Sequence, residues 1–374
     1  MDLIARLEQP SHDTPTHKSR TPSDKNFPHP PLSYYDYSLI AVRVPPVQAL
    51  HGTTSIESRD TAPEPAFAPK RPAWRGTRSV VIITPVRNRR DITLQCLRSL
   101  ERIDSTGLLL QRIVVDDGSM DGTSDAVREY FPDAEVISGS GDLWCSGAVN
   151  VGIEHTLAKA PDYILIINDD TVFDSCFLQQ MVATAEANPK SVIGALLLLW
   201  DEPHRVFQVA PRWETWYGGW RHKFEQTVWT VPEEPFEVEL IAGNCTLFPA
   251  AAFHEAGLFA TRWLPHFGDA EFTPRLKKRG WRLLIEPRAR VFNQPNEVPP
   301  KLSKMRLREL YDVMWRRYNH PHNFRNRFMM YWLGAPTKAQ GAAGFAMYVV
   351  RLALQAIGIR STPPAERPLR GEYN

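Results

Sequence analysis

Tyr163-Ile-Leu-Ile-Ile167 runs directly into Asn168-Asp169-Asp170-Thr171. The first stretch is a short, continuous apolar run, which is typical of a strand buried on both faces of a sheet. Two carboxylates therefore follow the carboxyl end of a predicted buried strand. Hard divalent cations prefer carboxylate oxygens, often together with phosphate oxygens. Because Asn and Asp are also common turn residues, the sequence leaves open whether this tetrapeptide holds a cation or only closes the strand.

Two more strands are predicted upstream, and each also ends in polar residues. Ser79-Val-Val-Ile-Ile-Thr84 leads into Pro85-Val86-Arg87-Asn88, and Arg112-Ile-Val-Val115 leads into Asp116-Asp117-Gly118-Ser119. Between them, Leu and Ile recur at helical spacing over residues 92–100. Strands that alternate with amphipathic helices predict a parallel sheet covered by helices on both faces. Ligands bind beyond the carboxyl ends of such strands, so we expect one site built from all three ends.

Two further segments complete the pattern: Gly141-Asp-Leu-Trp144 continues to Ile153, and His266-Phe-Gly-Asp269 opens a predicted helix. Together with the three strand ends, these segments resemble family 2 glycosyltransferases with the GT-A fold. The resemblance covers residues 79 to about 295, in the order of the family's motifs. It implies an α/β protein with a single Rossmann-like, mostly parallel sheet flanked by helices.

The resemblance implies that most polar residues at this edge face a nucleotide-diphosphate sugar donor. Asp117 is expected to accept hydrogen bonds from the base. From the residues alone, Asp117 could instead cap the turn at Gly118, and Asn150 could cap a helix. Glycines near Asn150 permit the close backbone approach that sites near sugars and phosphates need. The expected donor-side residues are Pro85, Arg87, Asp117, Gly147, Asn150, Asn168 and Asp169.

The same resemblance implies a divalent cation, Mg²⁺ or Mn²⁺, beside the diphosphate. Asp170 aligns with the last carboxylate of the family's Asp-x-Asp motif and is the expected metal ligand, whereas Asn168 at the first position adds no charge. Asn293 stands where family members often have a histidine that reaches the metal. An amide oxygen is a legitimate ligand for hard cations, so Asn293 is the second candidate.

Asp269 resembles the family's catalytic base. A carboxylate at a helix start is also a common N-cap, so this alternative stays open. The residues expected on the acceptor side are Trp144, His266 and Glu271.

The predicted function is that of an inverting hexosyltransferase. It would move a sugar from a dTDP- or UDP-sugar to a hydroxyl of a glycan or lipid-linked acceptor. The region around Trp144 and the basic tail are similar to bacterial enzymes of surface polysaccharide synthesis, rhamnosyltransferases included. A nicotinamide-dependent dehydrogenase is disfavoured, because the turn after the first strand lacks Gly-x-Gly-x-x-Gly. A catalytically silent carbohydrate- or nucleotide-sugar-binding protein on the same fold is the alternative, because Asn replaces both the first Asp and the terminal His.

Composition divides the chain into three parts. Twelve prolines fall within residues 1–75, which show no sustained hydrophobic period and are expected to form a mostly disordered leader. Residues 76–300 are the predicted glycosyltransferase domain, and residues 301–374 a basic and aromatic helical extension. No apolar run follows Met1, and the four cysteines are far apart. These features favour a cytoplasmic protein with reduced, mostly buried thiols.

The extension carries eight Lys or Arg against two acidic residues between positions 301 and 327, with Tyr and Trp interleaved. This mixture is typical of a surface that meets an anionic membrane or a phosphate-bearing acceptor, or of a solvated helix face. We expect reversible contact of residues 301–359 with the inner membrane face and no nucleic-acid partner. Residues 341–359 are predicted to form a helix that packs on the body or lies in the membrane interface.

A tryptophan-rich region lies between Asp170 and Asp269. Gly218-Gly219 predicts a hairpin turn within it. Its aromatic side chains are expected either to pack the hairpin on the core or to stack on acceptor sugars.

Overall fold

The computed structural model describes residues 76–209, 211–221, 226–293, 305–318, 320 and 322–356. The predicted leader lies outside these residues, as does the chain from residue 357 onwards. The strands are β1 (Arg78–Val86), β2 (Leu108–Asp116), β3 (Ala134–Ser138), β4 (Tyr163–Ile167), β5 (Thr171–Phe173), β6 (Ser191–Leu199), β7 (Val206–Gln208), β8 (Arg212–Glu214), β9 (Gly219–Arg221), β10 (Phe236–Glu237), β11 (Cys245–Pro249) and β12 (Arg282–Asn293).

Nine α-helices accompany these strands within the described residues. They are α1 (Arg90–Leu100), α2 (Thr123–Tyr130), α3 (Trp144–Leu157), α4 (Phe177–Ala187), α5 (Ala250–Ala256), α6 (Asp269–Lys278), α7 (Leu307–Tyr311), α8 (Phe324–Gly334) and α9 (Lys338–Ala356). A π-helical turn, Asp312–Arg316, continues α7.

Ten strands form one mixed sheet, in the order β10-β12-β6-β11-β4-β1-β2-β3, with β5 on β12 and β7 on β6. β1 is parallel to β2 and β4, β2 is parallel to β3, and β12 is parallel to β6. β11 runs antiparallel to both β4 and β6. The carboxyl ends of β1, β2, β4 and β12 therefore share one edge of the sheet with the amino end of β11.

The sheet is buried on both faces, as the continuous apolar strands predict. All five residues of β4 are buried. Along β1, Val80 and Ile82 belong to one core, whereas Val81 and Ile83 belong to the other, because successive side chains point to opposite faces. Side chains of α1 and α4 fill the first core, and those of α3, α5 and α6 fill the second. The predicted helix between the first two strands is confirmed as α1.

The predicted hairpin is confirmed as β8 and β9, which pair Trp213 with Trp220. Gly218 at the end of the turn and Gly219 at the start of β9 both have positive φ angles, which residues with side chains rarely adopt. Trp213 packs edge-on to Tyr331 of α8, with ring centroids 5.3 Å apart. Packing on the body therefore accounts for these two tryptophans. Packing on the body does not account for two other tryptophans, Trp216 (83% exposed) and Trp229 (77%).

The helices α8 and α9 pack on the body and form a third apolar cluster with residues of the segment from β10 to α6. Tyr331, Tyr348 and Leu352 lie in this cluster together with Leu264 and Ala270. The helix expected at residues 341–359 is seen as α9, which starts three residues earlier. Among the described residues, no helix is both long enough and apolar enough to cross a membrane.

All four cysteines are free thiols. Of the thiols expected to be mostly buried, Cys96 and Cys245 are buried, Cys176 is partly buried, and Cys145 is exposed at the second position of α3.

The contact of α8 with α6 is testable at Gly334, where an added methyl group would lie 2.3 Å from the carbonyl oxygen of Ala270. Because that contact is with backbone, α8 must move away from α6. We expect Gly334→Ala to lower the free energy of unfolding by about 1–3 kcal/mol, as measured by chemical denaturation. Ala343→Ser, which adds one atom at an exposed position of α9, is the control. Equal stability of the two variants would contradict this packing.

Candidate active site

The predicted strand ends meet at the shared edge of the sheet. Val86 is paired with Asp116 across β1 and β2, and the backbone N–H of Asp117 donates to the carbonyl of Val86 (3.0 Å). Pro85 and Arg87 flank Val86, so these two donor-side candidates lie beside Asp117. β4, on the other side of β1, delivers residues 168–170 to the same edge.

Asp117 fastens the loop that begins α3. Its carboxylate accepts hydrogen bonds from the backbone N–H groups of Gly141 (2.8 Å), Leu143 (3.2 Å) and Trp144 (3.0 Å). Arg87 lies 3.4 Å from the same carboxylate and also donates to the carbonyl of Gly141. Arg87 and Asp117 therefore hold the loop from both sides. A bound base would share this carboxylate with the loop.

Asp116, rather than Asp117, caps the turn after β2. Its carboxylate accepts hydrogen bonds from the N–H of Ser119 (2.8 Å) and from the hydroxyl of Ser124 at the start of α2. The turn-capping alternative for Asp117 is therefore wrong. The sequence places two aspartates side by side, and strand pleating points them to different partners.

Trp144 links the donor-side loop to the acceptor-side candidates. Its ring packs edge-on to His266, with centroids 5.3 Å apart, and the guanidinium of Arg87 lies 5.8 Å from the ring centroid. The loop before α6 is also bound to the start of α3, since the N–H of Ser146 donates to the carbonyl of Pro265 (2.9 Å). Burial lowers the pKa of His266 to about 4, so its ring is neutral at pH 7.

Three residues around this site have left-handed backbone conformations that side chains disfavour. They are Asn88 (φ 51°), Trp144 (φ 59°) and Phe267 (φ 60°). Strained non-glycine residues persist only where the surroundings over-determine them, and they concentrate at functional sites.

The two carboxylates after β4 share one guanidinium. Arg89 Nη1 lies 2.7 Å from Asp169 Oδ1, and Arg89 Nη2 lies 3.3 Å from Asp170 Oδ2. Thr93 also donates to Asp169, at 3.4 Å. Burial raises the pKa of Asp169 to about 6, against the opposing effect of Arg89. Protein groups therefore occupy Asp169 and one oxygen of Asp170.

The remaining oxygen of Asp170 is buried, and none of the described residues donates a hydrogen bond to it. The same holds for Asn293 Oδ1, while Asn293 Nδ2 donates to the hydroxyl of Thr171 (2.8 Å). Asn293 pairs across β12 and β5 with Thr171, the residue that follows Asp170 in the chain. Two buried acceptor oxygens without donors suit a hard cation.

These oxygens fall short of a complete metal site. No group of three or more His, Cys, Asp or Glu side chains that could hold a metal occurs among the residues that the structure describes. Sites that take only one or two carboxylates rely on substrate phosphates and water for the other ligands. The donor set at Asp170 and Asn293 fits that arrangement.

Asp269 is held at this edge by the residues just before β11. The N–H of Asn168 donates to the carbonyl of Asn244 (3.0 Å), and the N–H of the preceding Gly243 donates to Asp269 Oδ2 (2.9 Å). Gly268 occupies the N-cap position of α6, and Asp269 follows as the first helical residue. Burial raises the pKa of Asp269, although the N–H groups of Gly243 and Ala270 oppose this shift. A carboxylate with a raised pKa is suited to take up a proton.

Asn150 lies in the interior of α3, so the helix-capping alternative is wrong. Its amide donates to the carbonyl of Phe259 (2.9 Å) and accepts from the N–H of the same residue (3.0 Å). It thus clamps the segment that leads to His266 and Asp269. Direct contact of Asn150 with a donor, which the resemblance implies, is untested, and both ends of the amide are already used by Phe259.

The glycines on α3 allow neighbouring residues to approach the helix backbone closely, as predicted. A methyl group on Gly152 would lie 2.6 Å from Ile83 on β1, and one on Gly147 would lie 3.2 Å from Leu143.

Glu271 is buried and forms an ion pair with Arg275 one turn later (2.7 Å). Burial raises the pKa of Glu271, which Arg275 opposes. Arg275 also donates to the carbonyls of Ala256 and Leu258, each at 2.6 Å. Glu271 therefore helps to attach α6 to the segment after α5, and an acceptor-side role for it stays a prediction.

Sequence reasoning missed Arg89 and Gly243. Arg89 stands among three arginines in residues 87–90, and nothing in that run distinguishes the one that turns inward. The hydrogen bond from Gly243 to Asp269 could not be predicted from the sequence, because Gly243 reaches this edge only if β11 runs antiparallel to β4.

Residues 81–233 match the profile of Glycosyl transferase family 2. This region of the chain is therefore similar to family 2 glycosyltransferases. The N-acetylglucosaminyl-diphospho-decaprenol L-rhamnosyltransferase of Mycobacterium tuberculosis is 25% identical over 202 residues, which cover 48% of this chain and 65% of that enzyme. The match therefore spans somewhat less than two thirds of the relative's length.

Among solved structures, GalNAc-T7 with UDP, GalNAc and Mn²⁺ superposes with a TM-score of 0.50 at 13% identity, over 78% of this chain and 59% of that one. At this level of identity the likeness concerns the fold alone. The fold is GT-A, as the sequence resemblance implies.

A substitution at Asn150 distinguishes a structural role of this side chain from direct contact with the nucleotide. Asn150→Ala removes two hydrogen bonds to Phe259, so we expect a loss of about 1–3 kcal/mol in the free energy of unfolding. Affinity for UDP or dTDP, measured by calorimetry, should change by less than about threefold, equivalent to well under 1 kcal/mol. A large loss of nucleotide affinity with unchanged stability would instead support direct donor contact.

Proposed function

We propose that this protein is an inverting glycosyltransferase that moves a hexose from a nucleotide-diphosphate sugar to an acceptor hydroxyl. The observation that carries the proposal is the position of Asp269, which is bound to Gly243 at the same sheet edge as Asp170 and Asn293. This arrangement puts a carboxylate of raised pKa beside the predicted diphosphate site. The family 2 profile over residues 81–233 supports the same chemistry.

In the proposed reaction, Asp269 takes the proton of the acceptor hydroxyl. At the same time, the oxygen of that hydroxyl forms a bond to the anomeric carbon of the donor sugar. The bond from that carbon to the diphosphate breaks on the opposite face, and the nucleoside diphosphate leaves with the bonding electrons. Gly243 holds the Asp269 carboxylate in place. Neutral His266 and the ring of Trp144 line the acceptor side.

Asp170 and Asn293 would hold the divalent cation through their buried oxygens. When bound, such a cation offsets the negative charge that builds on the departing diphosphate. Asp117 and Arg87 would hold the base end of the donor, which we propose to be a UDP- or dTDP-sugar.

We propose a lipid-linked acceptor at the inner membrane face. The mycobacterial relative is named for a diphospho-decaprenol sugar acceptor, which supports this substrate class. A glycan acceptor free in solution is the competing possibility, and the membrane-binding measurement below bears on it.

The donor can be identified without the acceptor, because water replaces the acceptor hydroxyl in slow hydrolysis. The full-length protein is incubated with a panel of UDP- and dTDP-hexoses, with and without Mn²⁺ or Mg²⁺. Release of nucleoside diphosphate from one donor class, faster with cation, is the expected result. A donor that binds but is never hydrolysed would favour the silent binding protein.

Asp269→Asn tests the base. A general base contributes roughly 10²–10⁴-fold to the rate, so turnover should fall by that amount while affinity for the nucleotide sugar is kept. In the unchanged enzyme, turnover should fall as pH drops through the raised pKa of Asp269, which must be ionised to accept a proton. Loss of donor binding in the variant, or an acidic limb typical of an unshifted Asp, would contradict the assignment.

A basic, aromatic stripe supports membrane contact. Leu307 (86% exposed), Tyr311 (58%) and Trp315 (61%) recur every four residues along α7 and its π-helical turn. Exposed arginines flank them at Arg306, Arg308 and Arg316. Aromatic rings and cations in this mixture favour the interface of an anionic bilayer.

The segment that follows the stripe contacts the residues before the proposed acceptor side. The hydroxyl of Tyr318 donates to the carbonyl of Arg262, and the guanidinium of Arg325 lies 4.6 Å from the ring centroid of Trp263. Residues 262 and 263 lead into His266 and Asp269. A membrane that met the stripe would therefore lie close to the proposed acceptor site.

Liposome flotation tests the stripe with point variants, because truncation of the extension would remove α8 from α6. We expect the full-length protein to bind anionic vesicles at low salt and to be released as ionic strength rises. Changing the three stripe arginines to Gln should weaken binding by roughly tenfold or more. Trp315→Ala should also weaken it, whereas Trp229→Ala, an exposed tryptophan elsewhere, should have little effect. Equal binding to neutral vesicles would contradict this surface.

A further inference from the structure

We infer that Arg89 is a built-in counter-cation that keeps the affinity of the free protein for a divalent metal low and makes metal binding depend on the nucleotide diphosphate. This inference rests on the proposed cation and donor site. It concerns a residue that the motif pattern does not single out.

The geometry carries the first step. The guanidinium bridges consecutive carboxylates, at 2.7 Å to Asp169 and 3.3 Å to Asp170, and all three side chains are nearly buried. Adjacent carboxylates away from water are costly without a positive partner. Arg89 supplies that partner from the residue just before α1, so the acidic edge is already assembled without a metal.

The charge balance carries the second step. Two carboxylates and one guanidinium leave a net charge of −1, so an added divalent cation would make the cluster positive. With Arg89 fixed in place, Asp170 Oδ1 and Asn293 Oδ1 are the buried acceptors at this sheet edge to which none of the described residues donates. A diphosphate would supply both the missing oxygens and the missing negative charge. Metal and nucleotide should therefore bind cooperatively.

Cooperativity of this kind is reciprocal. If the nucleotide tightens metal binding, the metal tightens nucleotide binding by the same factor. Removing the guanidinium should strengthen metal binding more in the free protein than in the nucleotide-bound protein. It should therefore reduce the coupling between metal and nucleotide.

The test measures binding of Mn²⁺ alone to the full-length protein at pH 8, by calorimetry or by electron paramagnetic resonance. Arg89→Gln should bind Mn²⁺ at least about tenfold more tightly than the unchanged protein, since one nearby positive charge has been removed. Arg90→Gln is the matched control, because Arg90 is the next residue, is half exposed and pairs with Asp91 rather than with the acidic edge. It should leave Mn²⁺ affinity within about twofold, since exposed charges are screened.

UDP and dTDP then report the coupling. In the unchanged protein, a saturating nucleotide should tighten Mn²⁺ binding strongly, and in Arg89→Gln the same addition should have a smaller effect. In a chelator, Arg89→Gln should melt at a lower temperature than the unchanged protein and should recover when Mn²⁺ is added, because the metal then replaces the lost counter-charge.

Arg89→Lys keeps the test decisive if the Gln variant does not fold. Lysine retains the charge but cannot bridge two carboxylates in the same way, so its Mn²⁺ affinity should stay near that of the unchanged protein. Unchanged or weaker Mn²⁺ binding in Arg89→Gln, or tighter binding in Arg89→Lys, would overturn the inference. These readouts need no sugar donor, so they fail independently of the proposed transferase activity.

Discussion

The antiparallel pairing of β11 with β4 decides which groups meet at the site. Because β11 runs against β4, its beginning lies beside the end of β4, with Cys245 opposite Ile167. Gly243, just before β11, is thereby placed next to the carboxylates that follow β4, and its N–H holds Asp269. A parallel β11 would have sent Gly243 and Asp269 to the far edge of the sheet. One reversal of strand direction thus joins the proposed base to the proposed diphosphate site.

Many polar residues at this edge have a partner in the protein before any ligand arrives. Asp116 caps the turn after β2, Asn150 clamps Phe259, and Glu271 pairs with Arg275. Buried polar groups require such partners, and leaving one without its partner costs roughly 1–3 kcal/mol. A substitution at any of these positions can therefore abolish activity through the shape of the site alone. Activity by itself does not identify the residues that touch substrate.

Local pattern was sufficient to predict the sheet, α1, the hairpin at Gly218 and the helix opened by Asp269, since each depends on periodicity or turn chemistry within a short window. Partners across the fold were not predictable in this way. Nothing near Arg89 indicates that its side chain reaches residues after β4, and nothing in the sequence shows that Asp116, rather than the neighbouring Asp117, caps the turn after β2. Such outcomes depend on register and pleat direction, which a single sequence does not display.

The edge-on contact of Trp144 with His266 has a consequence for the order of events at the site. The N–H of Trp144 is held by Asp117, and its backbone is in a strained left-handed conformation. If a nucleotide base binds Asp117 as proposed, it would disturb Trp144, whose ring touches His266. Occupancy at one end is thereby linked to geometry at the other. The proposed donor and acceptor are thus expected to affect each other's affinity, each by the same factor.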